Sequence, residues 1–277
     1  MAVTIQQIKS LQERTGAGIM DCKKALVEAD GNEEKAIDIL REKGIAKAAA
    51  KAARVAAEGL AIVKICEKCG KKAVIVEVNC ETDFVSGSPK FHEFVGQVVD
   101  AIFTNEPKTI EEAKEVTQEF FTDATVAMRE NFVLRRFEVL HAEGEQSFAT
   151  YSHGNGRSTS LVLLSKEADP TLAKGIGMTS VSAAPRYLNI ENVPVEDRER
   201  ELAIARSEVA NDPKLANKPE AVKENIILRK VDSRLGDLCL DHAVYALDPD
   251  GSKKMDQLEK ETGVKVLKFV RYTVGEA

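Results

Sequence analysis

Cys66 and Cys69, three positions apart, are the first residues of this chain whose types and spacing could do chemistry. A Cys-x-x-Cys pair is half of a zinc-ribbon set, and structural zinc needs four ligands, commonly from a second pair or two histidines. The nearest further ligand is Cys80, one strand away. Thiol redox chemistry is the other use of that spacing. The plainer alternative is a hairpin turn that happens to contain cysteines. Four histidines, His92, His141, His153 and His242, form no Ser-His-Asp or Cys-His arrangement that spacing alone can assign. There is no GxxxxGK(S/T) loop and no Rossmann glycine fingerprint; Gly154-Asn155-Gly156 is too short for either and reads as a turn between strands, with His153 on its surface.

A third arrangement is physical rather than reactive. Asp83 and Phe84 place a carboxylate beside an aromatic ring, on a loop or strand end between two rigid elements. Such a scaffold can offer Phe84 as an anchor for a partner's pocket. The competing reading is that Phe84 caps the chain's own core, as most Phe residues do.

The elements that must position these residues follow from periodicity. Residues 73–80 carry a β-branched run interrupted by Glu77, which predicts a strand. Phe91, Phe94, Val95, Val98, Val99 and Ile102 recur at steps of three and four, which predicts a helix over 89–103 with Ser88 as N-cap and Pro89 in its first turn. Residues 59–66 pair with 73–80 as a hairpin around the cysteines. A helical stretch over 109–130 follows, then strands at 135–140, 147–152 and 160–165, and a helix from Pro170 to about Ala184. Strand, acidic loop, proline and helix thus occur twice, about 80 residues apart, as in an internal duplication.

Upstream, residues 1–44 predict three short helices. Thr4 and Gln7 form a capping box, Gly16 and Gly18 break the first helix, Gly31 stops the second, Asn32 caps the third and Gly44 closes it. Residues 45–57, rich in Ala and Lys, read as a solvated linker helix whose basic Lys47–Arg54 run could alternatively touch RNA. Downstream, residues 195–211 and 220–235 predict two helices joined by a proline-containing turn, a hairpin projecting from the core. Residues 239–247 read as a strand, Ser252 as the cap of a helix through Glu261, and 264–274 as a last strand returning to the second sheet.

Two stretches resemble a known family. Glu77-Val78-Asn79-Cys80-Glu81-Thr82-Asp83-Phe84-Val85 is closely similar to the central signature of the bacterial elongation factor Ts family, and Leu11 to Leu26 (LQERTGAGIMDCKKAL) to its N-terminal one. The resemblance implies an exchange factor, not an enzyme, for the translational GTPase elongation factor Tu. It implies an α+β fold: a three-helix ubiquitin-associated-like domain (1–44), the linker (45–57), and two related antiparallel-sheet-plus-helix subdomains (58–140; 141–189 with 236–277) carrying an inserted helical hairpin (190–235). It implies that Thr82, Asp83, Phe84 and Val85 form the element that meets the GTPase, with Phe84 wedged between two of its helices and Asp83 near its Mg²⁺-binding elements. Met20 matches a contact position in the turn between the first two helices. Tyr151-Ser152-His153-Gly154 is similar to the family's Tyr-x-His-Gly, whose histidine contacts elongation factor Tu. Gln12, Ile19 and Gly87 depart from residues common in the family, Arg, Met and a basic residue respectively. The magnesium would be the partner's, so no cofactor or metal is expected for this chain. Homodimers, or a heterotetramer with the GTPase, are compatible assemblies.

Composition agrees. The chain has 277 residues, 43% hydrophobic and 30% charged, with a net charge of −6 that gives no support for general nucleic-acid binding. No apolar run approaches the roughly 18 residues of a membrane span, and the first residues lack a signal-peptide pattern. Five cysteines in no disulfide framework fit a reducing cytoplasm.

Overall fold

The computed structural model describes residues 3–51 and 53–276, with only the backbone described for 45–50. The basic Lys47–Arg54 run therefore lies partly outside the described residues.

Three helices open the chain: α1 (Ile5–Thr15), α2 (Ile19–Glu28) and α3 (Glu33–Lys51). The Thr4–Gln7 capping box starts α1, Gly16 ends it in a left-handed conformation (φ 65°), and Asn32 caps α3. Leu11, Cys22, Ala25, Leu26, Ala36 and Leu40 meet in a small core of their own. One expectation fails here: Gly44 does not close the third helix, which continues to Lys51. A Cβ at Gly44 would stand 2.4 Å from Val126 Cγ2, so the glycine serves a close helix crossing rather than a stop.

The first sheet has order β1-β2-β3, all antiparallel: β1 (Glu58–Ile65), β2 (Lys72–Cys80) and β3 (Val133–His141). Between β2 and β3 come the single-turn α4 (Asp83–Ser86), α5 (Pro89–Asn105) and α6 (Ile110–Met128). Phe91, Phe94, Val95, Val98, Val99 and Ile102 of α5 bury against Val74, Val76 and Val78 of β2. The second sheet repeats the plan with β4 (Ser147–His153), β5 (Ser158–Leu164) and β6 (Val266–Thr273), again with the middle strand leading through a proline into a helix, α7 (Pro170–Ser182). The two sheets face each other through Ala61, Ala73, Ile75, Leu140, Leu161 and Tyr272.

One charge is enclosed at this seam. Glu77 of β2 is fully buried, and its carboxylate accepts from Arg136 Nε (2.7 Å), Asn79 Nδ2 (3.1 Å) and the Gly275 amide (3.3 Å). The glutamate that interrupts the β-branched run thus ties β2 to β3 and to the residues after β6.

Between α7 and β6 lie α8 (Val195–Asn211) and α9 (Glu220–Gly236), packed on each other through Ala205, Val209, Ile227, Val231 and Leu235. Two expectations change beyond them. Residues 239–247 are irregular, with isolated bridges Tyr187↔Cys239 and Val244↔Lys254: the amides of Leu240 and Asp241 bond to the carbonyls of Tyr187 and Leu188, and that of Ala243 turns back to Leu240, instead of forming a ladder. Ser252 does not cap the last helix, α10 (Met255–Thr262): the Asp248 carboxylate takes the amides of Ser252 (2.7 Å) and Lys253 (2.9 Å) into a turn, and Lys254 is the N-cap.

Candidate partner-docking site

β2 enters the core fully buried from Ala73 to Cys80 and emerges at Glu81. Thr82 then caps α4, its hydroxyl accepting from the Val85 amide at 3.4 Å. Within this turn Val85 packs inward on the first core. Asp83 and Phe84 are left outside, and Phe84 is 87% exposed. The reading of Phe84 as a cap on the chain's own core is excluded by that exposure. The thiol of Cys80 lies beneath, 3.3 Å from the Thr82 carbonyl, and burial pushes its pKa up to about 12, so it is no nucleophile.

A single helical turn is not stable by itself. This one is braced from the link between α6 and β3. Glu130 accepts the amides of Glu81 (3.0 Å) and Thr82 (3.2 Å) with one oxygen and the Thr82 hydroxyl (2.6 Å) with the other. Glu81 answers by accepting the Asn131 amide at 2.7 Å, while Asn131 Nδ2 donates to the Arg54 carbonyl at 3.0 Å. The crossed carboxylates hold two strand ends together, and Phe84 stands on the turn they fix. The sequence does not single out Glu130 and Asn131: they lie 48 to 50 positions from Glu81 and Thr82 and belong to no motif there.

The same link holds the start of α2. Arg129 pairs with Asp21 at 3.1 Å, its guanidinium lies over Gly18, and its carbonyl accepts from Lys51. Beside Asp21, Met20 is 61% and Ile19 57% exposed. Two of the predicted contact elements, α4 and the first turn of α2, are therefore tied to three consecutive residues, 129–131. His153 is apart from them, exposed at the end of β4 with Nδ1 3.4 Å from the Tyr151 hydroxyl. Its turn is nonetheless fixed to the first sheet, since the Ala61 amide donates to the Gly156 carbonyl (2.8 Å) and the Thr159 hydroxyl to that of Ala61 (2.7 Å).

The arrangement offers exposed apolar and polar anchors on braced turns. Among the described residues no group of three or more His, Cys, Asp or Glu is placed to hold a metal ion. Cys66 and Cys69 lie together in the β1–β2 turn, and Cys80 is buried at the other end of β2, away from them.

Comparison with known proteins agrees with the two signatures. A model of the Elongation factor TS family matches residues 81–276. The elongation factor Ts of Spiroplasma citri is 37% identical over 282 aligned residues, which span 100% of this chain and 94% of that protein. The chain belongs to the elongation factor Ts family. It is thus a factor of translation elongation, with α4 and its Glu130 brace inside the matched region. No helix among the described residues is long and apolar enough to cross a membrane.

Proposed function

We propose that this elongation factor Ts family member is the guanine nucleotide exchange factor of elongation factor Tu, and that α4 is the part that acts on the GTPase. The single observation that carries the reading is Phe84: a large apolar ring, 87% exposed, on a turn held rigid by Glu130. Burying such a ring in a partner yields about 1.5–3 kcal/mol from its area alone, and a central aromatic anchor can carry more. Asp83, beside it, brings a negative charge to wherever the ring inserts.

Exchange makes and breaks no covalent bond, so no catalytic group is required of this chain. It needs an interface that is stronger on the nucleotide-free GTPase than on the nucleotide-bound one. The coupling is reciprocal: whatever loosens GDP when this chain binds is loosened equally by GDP. Reversing a population fully takes about 5.5 kcal/mol of differential binding. Phe84 wedged between helices of the GTPase, with Asp83 near its Mg²⁺ elements, would supply part of that by disturbing the ion and the backbone donors that hold the phosphates. Met20 on α2 and His153 at the β4–β5 turn are further contacts, and Thr82 and Val85 hold the turn. The cytoplasm is the compartment this role requires.

The test is the release of a fluorescent GDP from purified elongation factor Tu, with wild type and Phe84→Ala compared. Fast release with wild type and slow release with a folded Phe84→Ala supports the reading. No acceleration by wild type overturns it. Met20→Ala and His153→Ala should raise the concentration needed for half-maximal release and leave the melting temperature unchanged.

A further inference from the structure

The turn between β1 and β2 holds chemistry that nucleotide exchange does not use. The Cys66 amide bonds to the Lys72 carbonyl at 2.8 Å, closing the ladder, and the Gly70 amide bonds back to the Cys66 carbonyl at 2.8 Å, closing the turn. Gly70 takes φ +63°, with open space where a Cβ would stand. Residues three apart in one tight turn have Cα atoms within about 7 Å, overlapping the roughly 4.4–6.8 Å that a disulfide spans. Cys66 is half-buried and Cys69 exposed.

The Cys66 sulfur is perturbed by its own turn. Hydrogen bonding from the Cys69 side chain, then from the backbone around 68–70, lowers its pKa below the usual thiol value. The Lys71 amide lies 3.4 Å from Cys69 Sγ. The other three cysteines contrast with this pair. Cys22, Cys80 and Cys239 are buried, and burial raises each pKa, to about 12 for Cys80 and about 11 for Cys239. A tetrahedral zinc set would need two more ligands, and no cluster of three or more His, Cys, Asp or Glu suited to a metal occurs among the described residues.

We propose that Cys66 and Cys69 form a reactive dithiol at which a small-molecule disulfide is reduced while the turn closes into a Cys66–Cys69 disulfide. The Cys66 thiolate attacks one sulfur of R–S–S–R. A Cys66–S–R bond forms and one R–S⁻ leaves. Cys69, its proton lost to solvent, then attacks Cys66 Sγ and displaces the second R–S⁻. Two protein thiols give up two electrons, the small disulfide takes them, and the two released thiolates take up the protons. Cys66 is the attacking sulfur and Cys69, the more exposed, is the resolving one. The nine residues of β2 separate this turn from α4 by roughly 25–30 Å, so the site is independent of Phe84 and of the exchange reading.

The experiment is to mix the reduced full-length chain with oxidised glutathione in the absence of oxygen, quench by alkylation and weigh the products. Wild type should lose the mass of two hydrogens, retain no glutathione at completion, and give a Cys66–Cys69 linked peptide, with Cys22, Cys80 and Cys239 alkylated once the chain is unfolded. Cys69→Ser should stop at a stable glutathione adduct on Cys66. Cys66→Ser should react at least about tenfold more slowly than wild type. Both substitutions lie in an exposed turn, and melting curves check that the fold is kept. A lasting glutathione adduct on wild type, two thiols that remain alkylatable in the folded chain, or a Cys66→Ser chain as fast as wild type would each overturn the proposal.

Discussion

Glu130 grips Thr82 twice, accepting its hydroxyl at 2.6 Å with one carboxylate oxygen and its amide at 3.2 Å with the other. Thr82 is the N-cap of the one-turn helix that carries Phe84. Glu130→Ala should therefore leave the sheets intact but free α4. The expected cost is about 1–3 kcal/mol of stability from the orphaned donors. Exchange should slow more than that loss of folded chain explains. Urea melts and GDP-release rates on the same samples separate the two effects.

Phe84→Ala removes a ring that touches little of its own chain. Stability should change by no more than about 0.5 kcal/mol. GDP release should fall about tenfold or more, as for a central anchor worth at least about 2 kcal/mol. A mutant destabilised by several kcal/mol would mean that the ring is buried in solution, contrary to its position on α4.

Glu77→Ala would leave Arg136 at the seam of the sheets without its carboxylate, and the Gly275 amide without an acceptor. Arg136 also stacks over Tyr272, 4.4 Å from the ring centroid, so it cannot simply swing away. Because Arg136 keeps some solvent contact, the expected cost is about 2–4 kcal/mol, below the roughly 3–5 of a fully enclosed pair. Chemical denaturation should show it, along with faster amide exchange after β6.

Acid should loosen the α8–α9 pair. Glu208 is bonded by Lys230 Nζ at 2.8 Å and Arg234 at 2.6 Å, and these cations, Lys230 first, hold its carboxyl below the ordinary glutamate value. A carboxyl depressed in the folded state stabilises above its unfolded pKa, near 4.3, and loses that contribution as pH falls through the lower folded value. Amide exchange in α8 and α9, referenced to the first sheet, should therefore quicken below about pH 4. Glu208→Gln should remove that pH dependence.

Much of this protein was legible in one dimension. The step of three and four from Phe91 to Ile102, the Ser88-Pro89 start and the β-branched run before Cys80 set α5 and β2, because each element satisfies its own backbone hydrogen bonds and shows its buried face in its period. The repeat of strand, proline and helix foretold two sheets of one plan, and the motif around Phe84 pointed to α4, the element proposed to dock on the GTPase. What the sequence could not decide was settled by contacts between distant positions. Gly44 looks like a helix stop until Val126 is seen against it. Residues 239–247 look like a strand until the amides of Leu240 and Asp241 turn to the carbonyls of Tyr187 and Leu188. Ser252 looks like a cap until Asp248 takes its amide. Whether Phe84 lay in the core or in water depended on Val85 filling the inward place on α4 and on Glu130 arriving from the far side of α6. Local propensity acts over a turn or a strand. The burial of one side chain and the pairing of one carboxylate depend on whichever part of the chain the fold brings alongside, and only the tertiary structure supplies that neighbour.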